Sequence, residues 1–336
     1  MDYNHFIEQI QKLILEHLPE QYRNADVSIH KTVKNNNTEL MALLIHRQGE
    51  NISPQIYLEP FFSQYQQGKE IEEIAKELAA SYLRNQDFDI PNVVELVSDF
   101  EKAQALLRLQ IINKEYNNDK MSYTPHRDLE NTDLTAVLRI YLPTQENGEA
   151  TILVSNEMLS SWGKSMDAVY PLALPNTMKT APARIDSMLH IMMTMPDNSM
   201  GYDVKNYHME PYEQYVLRNT SGINGATILL YPDVLDQLAQ GANTNLFILP
   251  SSIHECILMQ DTGELDAKEL QEMVMSVNQS AVSPEERLSD EVYYYDKDEH
   301  SLSMATSKEE TQELKEKLSQ EGDVNIECDI EFEREA

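Results

Sequence analysis

Apolar residues recur every three or four positions in two segments of the first hundred residues. This spacing places them on one face of an α-helix, so it predicts amphipathic helices over residues 3–18 and 71–83. Two shorter helices are predicted beside them. One covers residues 59–67 and carries aromatic side chains, and the other starts at Pro91 and runs through Phe100.

Runs of β-forming residues predict strands between these helices. Residues 25–33 and 39–46 flank the sequence KNNNT. Asparagine tolerates the left-handed backbone of a tight turn, so the two runs are expected to form a hairpin. A short third strand is predicted at residues 55–58. Residues 103–113 are ambiguous, because a run this short fits a helix as well as a strand.

In the middle of the chain, capping residues and prolines predict where short helices begin and end. Asn156 is expected to cap a helix over residues 157–161. A second helix over residues 165–174 is expected to end before Pro175, because proline lacks the backbone N–H that a helix needs. The run MLHIMMTM at residues 188–195 is predicted to be a strand.

A sequence repeat links two parts of the chain. The run GEATILVSNEML at residues 148–159 aligns with NGATILLYPDVL at residues 224–235. Each copy predicts a strand, a polar turn, a second strand and a helix with an acidic residue in its first turn. The strands concerned are residues 134–142 and 150–154 in the first copy, and 215–218 and 226–231 in the second. The pattern indicates a duplicated strand–turn–strand–helix unit, with chance similarity of two amphipathic units as the alternative.

The second copy leads into the densest apolar pattern of the chain. Strands at residues 246–249 and 255–259 are expected to flank the turn PSSIH. Asp266 and Glu269 form a capping box at the start of a further helix. The apolar face of that helix is predicted to contain Leu270, Met273, Val274 and Val277. The last predicted hairpin pairs residues 292–295 with residues 301–305.

These elements predict an α+β fold with short mixed or antiparallel sheets and helices packed on a face. The alternation of strands with helices leaves a mixed α/β sheet as the alternative. We expect an N-terminal α+β subdomain over residues 1–100 and a main α+β domain, with the duplicated unit, over residues 101–306. An acidic tail is expected over residues 307–336.

The charge balance bears on the partners of the protein. The chain has 57 acidic and 26 basic residues, a formal net charge of −31. Such a charge repels phosphate groups, so it predicts no direct binding of nucleic acid and favours an unknown protein partner of basic character. A solvated acidic surface explains the same composition without any partner.

Two widely separated cysteines, Cys256 and Cys328, form neither a disulfide framework nor a zinc-binding pattern. They suit a reducing compartment, which predicts a cytoplasmic location. The first residues lack the charged and apolar regions of a signal peptide. No run is apolar enough over about 18 residues to predict a membrane span, so no membrane partner is expected.

The turn at residues 250–256, PSSIHEC, is the best candidate for catalytic chemistry. Ser251, Ser252 or Cys256 would be the nucleophile, with His254 as general base. The competing interpretation is a structural turn whose serines hydrogen-bond to the backbone. Cys256 is then a small core residue.

No pattern points to a cofactor or a metal, and neither is predicted. The sequence lacks the HExxH, CxxC, GxSxG and P-loop motifs, and its 10 glycines are too scattered for a phosphate-binding loop. His126 is predicted to be a solvated or capping residue in a loop. The methionines around His190 resemble ligands of a soft metal, but methionines in a predicted strand are expected to fill the core.

Several runs resemble an uncharacterised bacterial family, domain of unknown function 5688. They are ATILLYPDVL, FILPSSIHECILM, VNQSAVSPEERLSDEVYYYDKD and the upstream ATILVSNEMLSSWGKSMDAVYPLAL. The resemblance covers nearly the whole chain. A fainter similarity, in the segment with the strand, the acidic helix and the Trp-Gly pair, is to the uncharacterised YtpQ-like family. The resemblance implies a cytosolic bacterial protein and assigns no catalytic residue.

Three functions are compatible with these patterns. The first is a non-catalytic cytosolic interaction or regulatory protein, with an apolar or aromatic patch and no convergent polar groups. The second is a hydrolase-like enzyme that uses the Ser251–Cys256 turn, with His254 within hydrogen-bond reach of a hydroxyl or a thiol. The third is an acidic mimic or inhibitor of a nucleic-acid-binding protein, with its carboxylates in a single stripe.

Overall fold

The structure is a computed structural model that describes residues 1–47, 55–84, 93–142, 150–194, 201–205, 207–250 and 252–306. Its helices are α1 (Tyr3–Leu13), α2 (Glu59–Gln66), α3 (Ile71–Arg84), α4 (Val93–Ser98), α5 (Phe100–Ala103), α6 (Asn118–Met121), α7 (Asn156–Ser161), α8 (Met166–Thr180), α9 (Met188–Thr194), α10 (Val234–Ala242) and α11 (Ala267–Ser280). Its strands are β1 (Asp26–Val33), β2 (Glu39–His46), β3 (Ile56–Tyr57), β4 (Leu107–Asn113), β5 (His126–Asp128), β6 (Leu134–Leu142), β7 (Ala150–Leu153), β8 (Ala183–Ser187), β9 (Tyr202–Asp203), β10 (Gln214–Asn219), β11 (Leu246–Leu249), β12 (Glu255–Gln260), β13 (Tyr293–Asp296) and β14 (Ser301–Met304).

The strands form three antiparallel sheets, which confirms the predicted α+β class. The first sheet has the order β1-β2-β3. The second has the order β4-β6-β5, with β7 paired to β6. The third has seven strands in the order β14-β13-β11-β12-β10-β8-β9.

The chain divides into two compact units that each combine separate segments. Unit 1 contains Met1–Leu109, Lys114–His126 and Val137–Asn176, and unit 2 contains Gln110–Asn113, Arg127–Ala136 and the chain from Thr177 onward. The chain therefore passes between the units several times. The acidic tail predicted over residues 307–336 lies outside the described residues.

The amino-terminal half of unit 1 follows the predictions closely. Strands β1 and β2 pair along their full length, and the turn between them contains Asn36 (φ 57°) and Asn37 (φ 52°), which confirms the hairpin and its left-handed turn. Helices α1 and α3 cover this sheet. Their buried residues share one core with the hairpin: Phe6, Ile10, Leu43, Ile45, Ile74 and Leu78.

The structure settles the ambiguous run at residues 103–113 and corrects the predicted cap of helix α7. Residues 107–113 form strand β4, which resolves the ambiguity of the run 103–113. Helix α7 is capped by Ser155, whose Oγ accepts from the backbone N–H of Met158 (3.2 Å), so the prediction of Asn156 as the cap is one residue off. At the other end of α7, Trp162 donates from its indole N–H to the carbonyl oxygen of Val97 (2.8 Å).

Helix α8 continues to Thr180, so the prediction that it ends before Pro175 is wrong. A proline inside a helix removes one hydrogen bond, and α8 contains both Pro171 and Pro175. Contacts beyond the second proline hold the helix. The Asn176 side chain donates to the carbonyl oxygens of Gln104 (2.9 Å) and Leu107 (3.0 Å).

Residues 188–194 form helix α9, so the strand predicted at 188–195 is wrong. The reason lies at Ser187, whose Oγ accepts from the backbone N–H of His190 (3.0 Å) and satisfies a donor of the first helical turn. Met192 and Met193 are 77% and 74% exposed, so these methionines do not fill the core.

In the described residues, the two copies of the sequence repeat adopt different structures. In the first copy, β6 and β7 form the predicted hairpin. In the second copy, residues Gly225–Leu230 form a 3₁₀ helix, and β10 pairs with β8 and β12 instead. The backbone N–H of Ala226 donates to the carbonyl oxygen of Ile253 (3.1 Å), so a long-range contact overrides the strand preference of this run.

Unit 2 confirms the remaining hairpins and corrects one helix face. Strands β11 and β12 pair, as do β13 and β14. Asp266 caps α11 by accepting from the N–H groups of Lys268 (2.8 Å) and Glu269 (3.2 Å). Leu270 and Val274 lie in the core as predicted, but Met273 and Val277 are 47% and 40% exposed.

Polar contacts explain the rotated face of α11. The Gln271 side chain donates to Glu291 (2.8 Å), and the Asn278 side chain donates to the carbonyl oxygen of Ser289 (2.9 Å). Both α11 residues are buried. The spacing of apolar residues cannot predict such contacts, because it assigns every polar side chain, including a buried amide, to the exposed face of the helix.

Candidate functional site

Side chains of the turn at residues 250–256 contact the backbone and a neighbouring carboxylate. Ser251 lies outside the described residues. The Ser252 Oγ accepts from the backbone N–H of His254 (3.0 Å), as the structural interpretation of the turn predicts. The His254 Nδ1 accepts from the backbone N–H of Asn224 (3.2 Å), and its Nε2 lies 3.4 Å from the Glu286 carboxylate. Both ring nitrogens thus face groups other than a hydroxyl or a thiol.

Cys256 lies on β12 and is fully buried. Burial raises the pKa of its thiol well above the usual range, and the nearby Glu255 carboxylate raises it further. A thiolate is the nucleophilic form of cysteine, so this environment suppresses nucleophilic chemistry. Within the described part of the chain, no hydrogen bond joins the imidazole ring of His254 to the Cys256 thiol or to the Ser252 hydroxyl.

A cavity of about 530 Å³ lies within unit 2, where α10 meets the β13–β14 hairpin. Its apolar surface is supplied by Leu129, Leu229, Leu230, Leu235 and Leu302. Five residues with polar side chains share its wall: Tyr231, Asp233, Asp236, Tyr295 and His300. Polar groups that converge in a cavity beside apolar side chains are typical of a ligand-binding site.

Asp236 is the centre of the polar group. Its Oδ1 lies 2.6 Å from the Nδ1 of His300 and 3.5 Å from the hydroxyl of Tyr295. A carboxylate only accepts hydrogen bonds, so the Nδ1 of His300 carries the proton and donates it. The opposite ring nitrogen, Nε2, is then left for another partner.

Asp233 occupies the position before α10 but does not cap the helix through its side chain. Its carboxylate has no hydrogen bond or ion pair within the described residues. The backbone of Asp233 is left-handed (φ 63°), as is that of His300 (φ 49°). Aspartate and histidine enter this region more easily than most residues, and here the conformation occurs twice at the wall of one cavity.

The electrostatics of the cavity favour groups of positive charge. Burial raises the pKa of Tyr295 to about 12, with further contributions from the charge of Asp236, its hydrogen bond and the charge of Asp233. The phenol therefore stays protonated at neutral pH. The two carboxylates lie beside leucine side chains, where a cation would exchange water for charged oxygen.

The reactive groups of the cavity wall are carboxylates, an imidazole and phenols. Its described lining contains no serine, threonine, cysteine or lysine. Tyr231 is also occupied, because its hydroxyl donates to the carbonyl oxygen of Ala181 (2.8 Å). The arrangement can bind a positively charged group on an apolar stem.

The sequence places the chain in a family. Residues 3–297 match a family described as a family of unknown function (DUF5688). The chain belongs to this family. The match confirms the resemblance seen in the ATILLYPDVL and PSSIHEC runs. No curated protein and no solved structure matches the chain.

The cavity of this DUF5688 protein was not predictable from motifs. Asp236 and His300 are 64 positions apart, and only the packing of α10 against the β13–β14 turn joins them. A weak signal was present, since Asp233 and Asp236 stand in the first turn of a predicted helix. Nothing in the sequence paired that turn with His300.

Other titratable groups of the DUF5688 protein have structural partners. Burial raises the pKa of Asp133, while donors oppose this effect: Tyr293, Ser289 (2.7 Å) and Asn113 (2.6 Å). His126 lies on β5 and its Nδ1 is 2.9 Å from the carbonyl oxygen of Thr124, so the predicted loop position is wrong.

The histidine of the methionine-rich run has a carboxylate partner. The His190 ring pairs with Asp186 (2.7 Å), and among the described residues no group of three or more histidine, cysteine, aspartate or glutamate side chains is arranged to hold a metal ion. No helix in the described ranges has the length and apolarity needed to cross a bilayer.

Proposed function

We propose that this DUF5688 protein is a non-catalytic interaction protein of the bacterial cytosol. It binds a basic side chain of a protein partner in the cavity of Asp233 and Asp236. The supporting observation is the Asp233 carboxylate, which caps no helix and has no described partner beside the leucines of that cavity. The cavity differs from the apolar patch that the sequence led us to expect, because its polar groups converge.

A lysine or arginine side chain suits this cavity for two reasons. Its methylene stem covers apolar surface while its charged head reaches an acceptor. The net charge of −31 also attracts basic partners over a distance and accelerates their encounter.

The test uses two short peptides that differ at one position, with lysine or norleucine between leucines. We expect the purified protein to bind the lysine peptide by isothermal titration calorimetry, and to bind it more weakly as salt increases. Because hydrogen bonds to charged groups are the stronger ones, the double variant Asp233→Asn, Asp236→Asn should weaken binding by about tenfold or more. Asp298→Asn serves as control, since Asp298 lies in the same hairpin turn as His300 and is exposed.

Two results would reject the proposal. One is equal affinity for the lysine and norleucine peptides. The other is an equal loss of affinity in Asp298→Asn and in the double variant. For the natural partner, affinity capture from a bacterial lysate should recover a protein with wild type and Asp298→Asn, and lose it with the double variant.

A hydrolase-like enzyme that uses the Ser251–Cys256 turn is the alternative. It needs an accessible nucleophile near His254, and Cys256 is fully buried. A mimic of nucleic acid is the third hypothesis, and no described cluster of carboxylates favours it over the cavity. The reactivity of Cys256 toward an alkylating reagent tests the hydrolase hypothesis separately from the binding function.

A further inference from the structure

Three cationic side chains lie together in unit 1 of a chain that is otherwise strongly acidic. They are Lys34 at the end of the β1 strand, Lys120 on α6 and Arg139 on β6. The pKa of Lys120 is lowered to about 8 by burial first, and then by the charges of Arg139 and Lys34. Geometry also joins two of these residues, because the Lys120 ammonium group donates to the backbone carbonyl oxygen of Lys34.

Neutral groups hold Lys120 in place. Its Nζ donates to the backbone carbonyl oxygen of Lys34 and to the Oδ1 of Asn117 (3.1 Å). Asn117 is itself buried and joined to the hairpin turn, because its Oδ1 accepts from the backbone N–H of Asn36 (2.9 Å). An ammonium group has three donors, so Lys120 keeps one for a further acceptor.

The two neighbouring cations are also positioned by uncharged groups. The Nζ of Lys34 lies 4.1 Å from the centre of the Tyr57 ring, which is a cation–π contact. Arg139 donates from its guanidinium to the Oγ1 of Thr151 (2.9 Å) on the adjacent strand β7. Burial lowers the pKa of Arg139 as well.

Nearby carboxylates have other partners. Glu39 pairs with Lys31 (2.5 Å), and Asp119 accepts from the side chain of Asn37 (3.3 Å). Within the described residues, neither Lys34 nor Lys120 has a carboxylate partner. Bringing like charges together in a partly buried place costs free energy, which a bound anion would offset.

We propose that Lys34, Lys120 and Arg139 form a binding site for a multivalent oxyanion of the phosphate class. Lys120 supplies the central charge and its third N–H. Lys34 and Arg139 supply flanking positive charge. This site belongs to unit 1 and is independent of the cation-binding function assigned to unit 2.

The test compares inorganic phosphate with chloride at equal ionic strength, and citrate with both. We expect phosphate to raise the melting temperature of the full chain measured by circular dichroism, and to give a binding isotherm by calorimetry. Lys120→Met should weaken phosphate binding by about tenfold or more, since it removes a hydrogen bond and a charge. Lys120→Arg should retain most of it. Lys76→Met on α3 is the control, because Lys76 is an exposed lysine of the same unit.

The proposal is overturned if phosphate and chloride give the same melting temperature with wild type. It is also overturned if Lys76→Met loses as much affinity as Lys120→Met. Stronger binding of citrate than of phosphate would reject the phosphate class and assign the site to carboxylates. If Lys120→Met does not fold, Lys34→Met provides the same comparison, and unchanged binding there contradicts the site.

Discussion

At the scale of single residues, burial decides which reactive groups are available. Cys256 and His254 stand two positions apart in the sequence, which suggests a nucleophile and its base. In the fold, the thiol lies in the core and the ring faces Asn224 and Glu286. The cavity of Asp236 shows the opposite case, in which residues without a shared motif meet through folding.

The state of Cys256 can be measured with a thiol-alkylating reagent. In a Cys328→Ser variant, we expect no alkylation of the folded protein at neutral pH, because burial excludes the reagent and raises the pKa of the thiol. Alkylation should appear only with unfolding in urea. Mass spectrometry measures the modified fraction. Rapid modification of the folded chain would contradict this and restore the nucleophile at the PSSIHEC turn.

At the scale of elements, the sequence predicted those that its own periodicity determines. The β1–β2 hairpin and helices α1 and α3 follow from local patterns, and the fold contains all of them. Other elements depend on contacts that the periodicity of the sequence does not show. The Ile253 carbonyl makes Gly225–Leu230 a 3₁₀ helix, and Ser187 begins α9 where a strand was expected. A single sequence contains no record of such partners.

Gly225 offers a test of the most consequential of these contacts. A Cβ atom at this position would lie 2.1 Å from the carbonyl oxygen of His254, so no side chain fits. We expect Gly225→Ala to lower the free energy of unfolding by about 3 kcal/mol or more. Urea denaturation followed by far-ultraviolet circular dichroism measures the change.

Gly263→Ala is the matched comparison for Gly225→Ala. Gly263 is left-handed (φ 76°), and no atom lies within 4 Å of the position that an alanine methyl group would take. Alanine there therefore costs about 1 kcal/mol of conformational energy. If the two variants unfold at the same urea concentration, the close contact between Gly225 and His254 is wrong.

At the scale of the whole molecule, the net charge is −31, yet one group of side chains in unit 1 is positively charged. Composition predicts a basic partner and carries no trace of the cationic group in unit 1. Lys34, Lys120 and Arg139 are distant in the sequence and converge only in the fold. The same holds for the cavity of unit 2, so neither candidate site could be read from the chain alone.

The lowered pKa of Lys120 has a consequence for stability against pH. The unfolded lysine keeps its proton up to about pH 10.5, whereas the folded one releases it near pH 8. The unfolded state therefore binds more protons between these values, and the free energy of unfolding rises with pH. Between pH 8 and 10, we therefore expect the free energy of unfolding of wild type to change in the favourable direction relative to that of Lys120→Met.

Measurement above pH 10 would confuse this effect with a second one. Burial raises the pKa of Tyr215 and Tyr295 to about 12. In that range the unfolded tyrosines lose protons first, so stability falls with pH. Urea titrations of wild type and Lys120→Met at pH 8, 9 and 10 cancel the contributions of the tyrosines and Cys256, which the two proteins share. An identical slope in wild type and Lys120→Met would mean that Lys120 titrates like an ordinary lysine.

The indole contact at the end of α7 also gives the molecule an optical label. Trp162 is the single tryptophan of the chain, and it donates to Val97 and packs against the Phe100 ring, all within unit 1. Excitation that is selective for tryptophan therefore reports on unit 1 alone. Circular dichroism averages over both units. The two signals, recorded in one titration, distinguish a single cooperative transition from separate melting of the units.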